Sequence, residues 1–396
     1  MIKRAKTYEE IKPLIDMCKN GRLFDVQDWI SENNPINSPP PPEKAARKKS
    51  PLQTAIDCGF HSLVQVLLEA GAEIQDDRYN ALEHSLTERR LDIIKLLVKH
   101  GADIHSVDMT WVFDAWDPKI IEYFIDQGAD VETGHPLASA LCWKIRTALG
   151  VFKRHKDRFP SFQEQINIAL RHHCKEGNLK WVSLVLWAGA DPYAKGPDSA
   201  GEDPDPEEDI CALEYASLYG HFEIFKLKQI RLDPNHPIAG KLMRWACRAD
   251  KADFLNELIK IGFNPANLED SGSSLIQTCI VGMDWTFDFY SPRQKKDIDN
   301  SESREKIKMI HILAKSGARW MPKDRYEIND ARRSLLKMKS DYTVEFVWIM
   351  SKFNASTRKN IEQLIRTPTM RALLSVHQTR INELVESFEE SQEVDL

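Results

Sequence analysis

The stretch Ser50–Ile74, SPLQTAIDCGFHSLVQVLLEAGAEI, contains two short helical patterns separated by a turn at Gly59. In the second pattern, apolar residues such as Leu63 and Leu67 recur at the spacing of one helical face. Gly71 follows the last turn, where glycine suits the left-handed conformation that ends a helix. The stretch therefore predicts a helix, a tight turn, a second helix and a short extended loop.

The string that closes this stretch recurs along the chain at a regular interval. It reads GAEIQ at Gly71, GADIH at Gly101, GADVE at Gly128 and GADPY at Gly189. The first two intervals are 30 and 27 residues, and the third, 61 residues, is close to two intervals. Each copy follows an amphipathic helical run, so the series indicates an array of helix–turn–helix repeats.

These residues resemble the ankyrin-repeat family, whose pattern TPLHxAAxxGH…VxxLLxxGAD is matched by Ser50–Ile74. Asn167–Pro192 and Ala212–Leu227 are further good matches, and Leu242–Ile261 is a weaker one with Asp250 where glycine is usual. About ten units can be recognised in this way. The resemblance, which is strongest to standalone prokaryotic members, implies an all-α solenoid of stacked helix-turn-helix units with short finger loops.

The domain organisation follows from the packing that repeats require. Each unit has an apolar face that only a neighbouring unit can bury, so we expect one continuous ankyrin-repeat solenoid over residues 1–355. Ile328–Met350 is interpreted as its last, truncated unit. Residues 356–390 predict a C-terminal helical cap, and residues 391–396 an acidic tail.

Three insertions interrupt the repeat period, at 36–49, 196–209 and 284–304. The first holds a proline block and a basic cluster, which we interpret as an enlarged loop between two stacked repeats rather than a domain linker. The second is strongly acidic but lacks the calcium-loop pattern, so we expect a solvated loop. The third has four aromatic residues that either fold back onto the solenoid or anchor a partner: Trp285, Phe287, Phe289 and Tyr290.

Composition and charge narrow the function classes. A formal net charge of -6 argues against bulk binding to nucleic acid or to an anionic membrane. The sequence has no run of 18 apolar residues and its first residues are charged, so neither a membrane span nor a secretory signal is predicted. The seven cysteines are widely spaced, which favours reduced, buried thiols. We therefore expect a cytoplasmic protein.

No catalytic or metal-binding motif is present, so we expect no enzyme activity, no cofactor and no bound metal. The string His172-His173-Cys174 cannot converge on one ion, because adjacent residues of a helix point about 100° apart. In the repeat register His173 takes a small inward position, Cys174 takes the next core position, and His172 faces the groove. His84 has no third ligand near it in sequence.

The resemblance implies that partner proteins bind a concave groove formed by inner helices and loop tips. The repeat register assigns a polar part of this groove to Asp57, His84, Glu88 and His172. An apolar, aromatic part is assigned to Tyr215, Leu218, Tyr219, Trp245, Arg248 and Ile280. Tyr, Trp and Arg are enriched where interface energy concentrates, so we predict a hot spot around Tyr215, Tyr219, Trp245 and Arg248. The alternative is that neighbouring inner helices bury these rings.

These features predict a protein–protein interaction module, namely a cytosolic adaptor or inhibitor of one or more unidentified proteins, without a small-molecule substrate. A toxin-neutralising, immunity or defence-system role is one specific form of this function. Two alternatives stay open. One is an enzyme or ligand sensor with a site across the long insertions. The other is a nucleic-acid-associated protein that uses the basic residues Lys44, Arg47, Lys48, Lys49, Arg293, Lys295 and Lys296.

Overall fold

The computed structural model describes residues 4–40, 48–76, 79–200, 210–266, 273–281, 300–338 and 340–390. It divides into two units. The first consists of Met1–His173 and Lys180–Asp209, and the second of Cys174–Leu179 and Ile210–Leu396. Both are built from pairs of antiparallel helices, so the predicted all-α class, a solenoid of stacked helix–turn–helix units, is confirmed.

The first unit is a series of helix pairs followed by α11 and α12, whose adjoining ends belong to the second unit. Their bounds are α1 Tyr8–Lys19, α2 Leu23–Ser31, α3 Pro51–Asp57, α4 His61–Glu69, α5 Ala81–Thr87, α6 Leu91–Lys99, α7 Met109–Asp114, α8 Pro118–Asp126, α9 Pro136–Cys142, α10 Thr147–His155, α11 Phe162–Lys175 and α12 Leu179–Ala188. Short strands β1 Gln75–Asp76 and β2 Tyr79–Asn80 pair in antiparallel register, and β3 is Lys195–Gly196.

Within this unit the odd-numbered helices form an inner layer and the even-numbered helices an outer layer. Helices α1, α3, α5, α7 and α9 pack successively on one another, and α2, α4 and α6 do the same. The helix α3 begins where Ser50 caps it, because the Ser50 hydroxyl accepts a hydrogen bond from the Gln53 amide at 3.1 Å. The apolar face predicted for α4 is buried, including Leu63, Val64 and Leu67.

Left-handed backbone residues mark the repeat period in the structure. One lies in the turn between inner and outer helix, and we call it the turn residue. It is glycine at Gly21, Gly59, Gly177 and Gly220, but not at Arg89, Trp116, Lys144 and Asp250. A second lies after the outer helix, as predicted for Gly71, Gly101, Gly128 and Gly189. Only glycine adopts this conformation without steric cost, which explains the recurring GAD string.

The second unit continues the same pairing. Its elements are β4 Ile210–Cys211, α13 Ala212–Leu218, α14 Ala239–Arg248, α15 Ala252–Ile261, α16 Leu275–Val281, α17 Asn300–Lys315, α18 Arg325–Lys337, α19 Ser340–Lys352, α20 Arg358–Ile365, α21 Pro368–Leu374 and α22 Gln378–Glu390. Helices α13, α14, α16, α18 and α20 pack in succession as an inner layer. Helices α15, α17, α19 and α22 form the outer layer.

Two repeats of this unit depart from their sequence-based descriptions. After α13 the outer element is only a 3-10 helix, Phe222–Lys226, which packs through Phe222 and Phe225 on Phe254 at ring distances of 4.8 and 4.6 Å. The last repeat was expected to be truncated, and this is wrong, since α18 and α19 are complete helices of 13 residues each.

The first insertion is tied to the fold at its start. The Asn37 side chain donates a hydrogen bond to the Gly71 carbonyl at 3.2 Å and accepts one from the Glu73 amide at 2.8 Å. These hydrogen bonds join the start of the insertion to the following repeat, as expected for a loop between two stacked repeats rather than a domain linker. Residues 41–47, 201–209, 284–299 and 391–396 lie outside the described residues, together with Trp285, Phe287, Phe289 and Tyr290 and with the basic residues Lys44, Arg47, Arg293, Lys295 and Lys296.

All seven cysteines are described and none forms a disulfide. Five are buried, Cys142 is partly exposed, and Cys58 is exposed, so the expectation of buried thiols is wrong for Cys58. Burial raises the pKa of the Cys18 thiol to about 12. Over the described ranges, no helix has both the length and the apolar character needed to cross a membrane.

Candidate protein-binding surface

Each repeat presents three positions at the end of its inner helix that lie on one side of the helix. Counting back from the turn residue, they are positions -5, -2 and -1. Residues three or four apart in a helix share a face, so position -5 lies beside both of the others. For the turn at Gly59 these positions hold Thr54, Asp57 and Cys58. We call the surface formed by these positions the inner-helix surface.

In the first unit, this surface contains a polar cluster. Asp57 contacts His84 Nε2 through one carboxylate oxygen and accepts a hydrogen bond from Lys49 Nζ at 2.6 Å through the other. One ligand atom each from Asp57, His84 and Glu88 lie within 4.8 Å of one another. The structure thus brings three residues of the predicted polar part of the groove into contact distance.

An imidazole and two carboxylates could coordinate a divalent transition metal. However, the Lys49 ammonium already neutralises Asp57, and this hydrogen bond, with the charge of the same carboxylate, raises the pKa of Lys49. A metal ion would have to displace this ammonium. The cluster is therefore a network of ion pairs and hydrogen bonds. It makes this part of the surface acidic, with the charge of Asp57 neutralised by Lys49.

Exposed tryptophans lie in and directly after the inner helices α7 and α9. Trp111 at position -5 is 55% exposed, and Trp143 at position -1 of the next repeat is 60% exposed. Trp116 is itself a turn residue, 48% exposed and left-handed with φ 59°. The part of the chain predicted to carry a polar groove surface therefore also presents exposed tryptophans.

These tryptophans were not predicted, because no inner-helix positions were assigned in the two repeats that contain them. The turn residues of these repeats, Trp116 and Lys144, are not glycine. The glycines that follow the outer helices could have located this repeat in the sequence. Gly101 and Gly128 are two of these glycines, and the repeat that contains Trp111 lies between them.

In the second unit, the same positions hold aromatic and cationic side chains. The rings of Tyr215 and Tyr219 stack at 6.5 Å, and Lys175 Nζ lies 5.9 and 5.8 Å from their centroids. Tyr219 is 41% exposed, whereas Tyr215 is only 4% exposed. Tyr219 is therefore available to a partner, and Tyr215 mainly supports it. Leu218 is partly exposed.

The next repeat places Arg248 over the ring of Trp245, with Cζ 4.9 Å from the ring centroid. Both side chains are partly buried. Burial, together with the neighbouring Arg244 charge, lowers the pKa of Arg248. Arg244 is held by hydrogen bonds that Nη1 donates to the Ser273 carbonyl at 2.6 Å and to Thr278 Oγ1 at 3.2 Å.

Ile280 does not contribute to this surface, because its side chain is fully buried. Its helix, α16, packs against α14, α17 and α18. In the same helix, Gln277 is buried as well and accepts a hydrogen bond from Trp320 Nε1 at 2.7 Å. Inner helices therefore bury this part of the predicted apolar surface, which is the alternative raised by the sequence analysis.

The histidine pair on α11 behaves as the repeat register predicted. His173 and Cys174 are buried, and His172 is partly exposed. His173 Nε2 lies 3.0 Å from the Leu141 carbonyl, and its ring is 5.3 Å from that of Trp181. Burial lowers the pKa of His173 to about 4, so the ring is neutral at physiological pH. These contacts are those of a packed core side chain.

Comparison with known proteins agrees with the repeat geometry. Residues 14–108 match the family model described as ankyrin repeats (3 copies). An ankyrin repeat and KH domain-containing protein of Caenorhabditis briggsae is 24% identical over 190 residues, which is 44% of this chain. The match spans only 7% of that relative's length.

Similar solved structures are also ankyrin repeat domains. That of human ASB11 is 14% identical with a TM-score of 0.39, and covers 56% of this chain and 99% of its own. That of Bcl-3, a member of the IkappaB protein family, is 16% identical with a TM-score of 0.40, covering 54% and 98%. One from Acinetobacter baumannii is 18% identical with a TM-score of 0.29, covering 54% and 94%.

Ankyrin repeats are protein–protein interaction modules. The family match lies within the first unit, and the helix pairs with their left-handed turn residues extend through both units. Residues 14–108 therefore match ankyrin repeats, and the same pairing of helices continues through both units.

Proposed function

We propose that this protein binds a partner protein through the inner-helix surfaces of its units, and that it acts as an adaptor or inhibitor in the cytosol. The observation that carries the proposal is the set of exposed aromatic side chains at the ends of the inner helices: Trp111, Trp116, Trp143 and Tyr219. Large exposed aromatic rings cost solubility and are enriched in the hot spots of interfaces.

The backbone at Trp116 supports the same conclusion. A bulky residue with positive φ is strained, typically by 1 to 3 kcal/mol, and such strain concentrates at functional sites. Four other repeats have glycine at this turn, whereas Arg89, Lys144 and Asp250 are left-handed there as Trp116 is. A strained turn that keeps a half-exposed tryptophan fits a binding role.

Nucleic-acid binding through the first basic cluster is disfavoured by the contacts of its described residues. Lys48 Nζ lies 4.1 Å above the ring of Tyr8, and Lys49 forms the ion pair with Asp57. Both lysines are thus engaged within the fold. Neutralising a toxin or serving in a defence system would be one specific role for a protein binder, and identifying the partner would test it.

The experiment is affinity capture from the native cell, with quantitative mass spectrometry. We would compare the wild-type protein with two double variants, Trp111→Ala with Trp143→Ala and Tyr219→Ala with Trp245→Ala. The matched control is Trp187→Ala, because Trp187 is 65% exposed but lies on the outer helix α12. We expect at least one double variant to weaken capture about 30-fold, equivalent to about 2 kcal/mol, while the control binds normally.

Thermal melting of each variant separates binding from folding. A double variant that loses capture but keeps its melting temperature supports the proposal. If both double variants melt normally and capture the same proteins as the wild type, the inner-helix surfaces are not the binding site.

A further inference from the structure

Arg248 is a partly buried cation that forms no ion pair with any described residue. Its guanidinium lies over Trp245, and Arg244 is one helical turn away. Taking a charge out of water without a counter-ion is unfavourable, so such charges are normally paired. Arg248 therefore bears a desolvation cost that no described carboxylate offsets.

No described carboxylate pairs with Arg248. Arg244 donates hydrogen bonds to the Ser273 carbonyl and to Thr278 Oγ1, which brings a second guanidinium to the same region. Two described carboxylates of these repeats are paired with lysines. Glu214 pairs with Lys241 at 2.9 Å, and Asp250 pairs with Lys306 at 3.1 Å.

Lys175 adds a further positive charge at position -2 of its repeat, above Tyr215 and Tyr219. The adjoining Glu176, at position -1, is exposed and contributes one negative charge. At the defined positions of these three repeats, Lys175 and Arg248 are counted against Glu176, so the formal charge of these positions is positive. It combines cations with an exposed tyrosine and a tryptophan.

We propose that this surface, formed by Lys175, Tyr219, Trp245 and Arg248, binds an acidic segment of the partner protein, with a carboxylate of that segment on Arg248. The proposal rests on the proposed function, since it names the chemistry of the partner. An arginine whose guanidinium lies over an aromatic ring can donate to a carboxylate, and a carboxylate accepts two of its hydrogen bonds at once.

The net charge of the chain favours a short acidic segment over a nucleic acid. At -6, the protein repels a long polyanion as a whole. At physiological salt, charges interact over only about 8 Å, so a short segment responds mainly to the local cations.

Fluorescence anisotropy with defined probes tests this proposal. A fluorescein-labelled octaglutamate peptide is titrated with the full chain at low salt, in parallel with octalysine and octathymidylate. We expect the octaglutamate to bind most tightly and to weaken as salt is added. Arg248→Gln should weaken it about 10-fold and Lys175→Gln about 3-fold, in line with the loss of one charge-assisted contact each.

The matched control is Lys260→Gln, which removes one positive charge from the outer helix α15 of the same repeat as Arg248. It should leave the affinity unchanged. The melting temperature of Arg248→Gln should be equal to or above that of the wild type, because no described ion pair is lost. A lower melting temperature with unchanged octaglutamate affinity would show a structural role and overturn the proposal.

Other outcomes also overturn it. These are no octaglutamate binding by the wild type, equal weakening by Lys260→Gln, or tighter binding of octalysine or octathymidylate. The proposed function is decided separately, because partner capture that depends on Tyr219 and Trp245 would stand even if the octaglutamate peptide does not bind.

Discussion

The two units place different chemistry on the same repeat positions. In each case a residue at position -2 lies beside positions -5 and -1 of the following repeat. The residues are Asp57, His84 and Glu88 in the first unit, and Lys175, Tyr215 and Tyr219 in the second. One set is acidic and closed by Lys49, and the other is cationic and aromatic. The repeat backbone therefore sets where side chains meet, while the residue types decide what they can bind.

The turn residues differ between the units in a similar way. Arg89 and Asp250 both have positive φ, at 52° and 53°, where glycine is usual in the family. Arg89 is exposed, whereas Asp250 holds the almost fully buried ammonium of Lys306 at 3.1 Å. Of these two strained turn residues, Asp250 forms a buried ion pair, whereas Arg89 is exposed.

The largest expected effect on stability is at the turn residue Asp250. Asp250→Gly restores the usual glycine, but we expect it to destabilise the protein by about 3 kcal/mol, because the buried Lys306 ammonium loses its carboxylate. Urea unfolding measures the change. Asp250→Asn, which keeps the shape and removes the charge, should have a similar effect. Unchanged or increased stability of Asp250→Gly would show that the ion pair does not matter.

The next effect concerns the buried position -4, which is His173 in the first unit and Ala216 or Ala246 in the second. Because the pKa of His173 is about 4 when folded and about 6.5 when unfolded, the unfolded chain binds the proton more readily. The contribution of neutral His173 to the free energy of unfolding is complete above pH 6.5 and is lost as the pH falls toward 4. At pH 5 the loss should be about 2 kcal/mol.

Urea unfolding at pH 7 and pH 5 measures this loss, with His173→Leu as the variant that cannot titrate. The pH dependence of the variant should be smaller than that of the wild type by about 2 kcal/mol. If both proteins lose the same stability between the two pH values, another group causes the acid sensitivity.

The smallest effect is at the first unit's turn. Arg89→Gly should stabilise the protein by up to about 1 kcal/mol, since glycine relieves the left-handed strain, although it also loosens the unfolded chain. The melting temperature measures this gain. A fall in melting temperature would mean that Arg89 makes a contribution that its exposed position does not explain, and the contrast with Asp250 would disappear.

Much of the fold could be predicted from local patterns. The spacing of the closing glycines gave the repeat period, and the apolar residues before them gave the outer helices. The inward place of His173 followed from the register of a repeat that has Gly177 at its turn. These predictions succeeded because helix faces and left-handed turns depend on residues within one repeat.

The candidate site was predicted less well, and particular residues show why. Trp111 and Trp143 were missed because no inner-helix register was assigned to their repeats, whose turn residues Trp116 and Lys144 are not glycine. Ile280 was placed on the surface, but helices from other repeats bury it. Exposure at the end of an inner helix depends on what the next repeat packs against it.

The amino-acid sequence by itself determined the repeat, its helices and its left-handed turns, because these arise from periodicity and from the steric freedom of glycine. Only the tertiary structure decided which side chains meet, as when Asp57 and His84 are brought together across 27 residues or Lys306 is paired with Asp250 across 56. Stacking decides such contacts, since the position of a side chain relative to the next repeat is not encoded within its own.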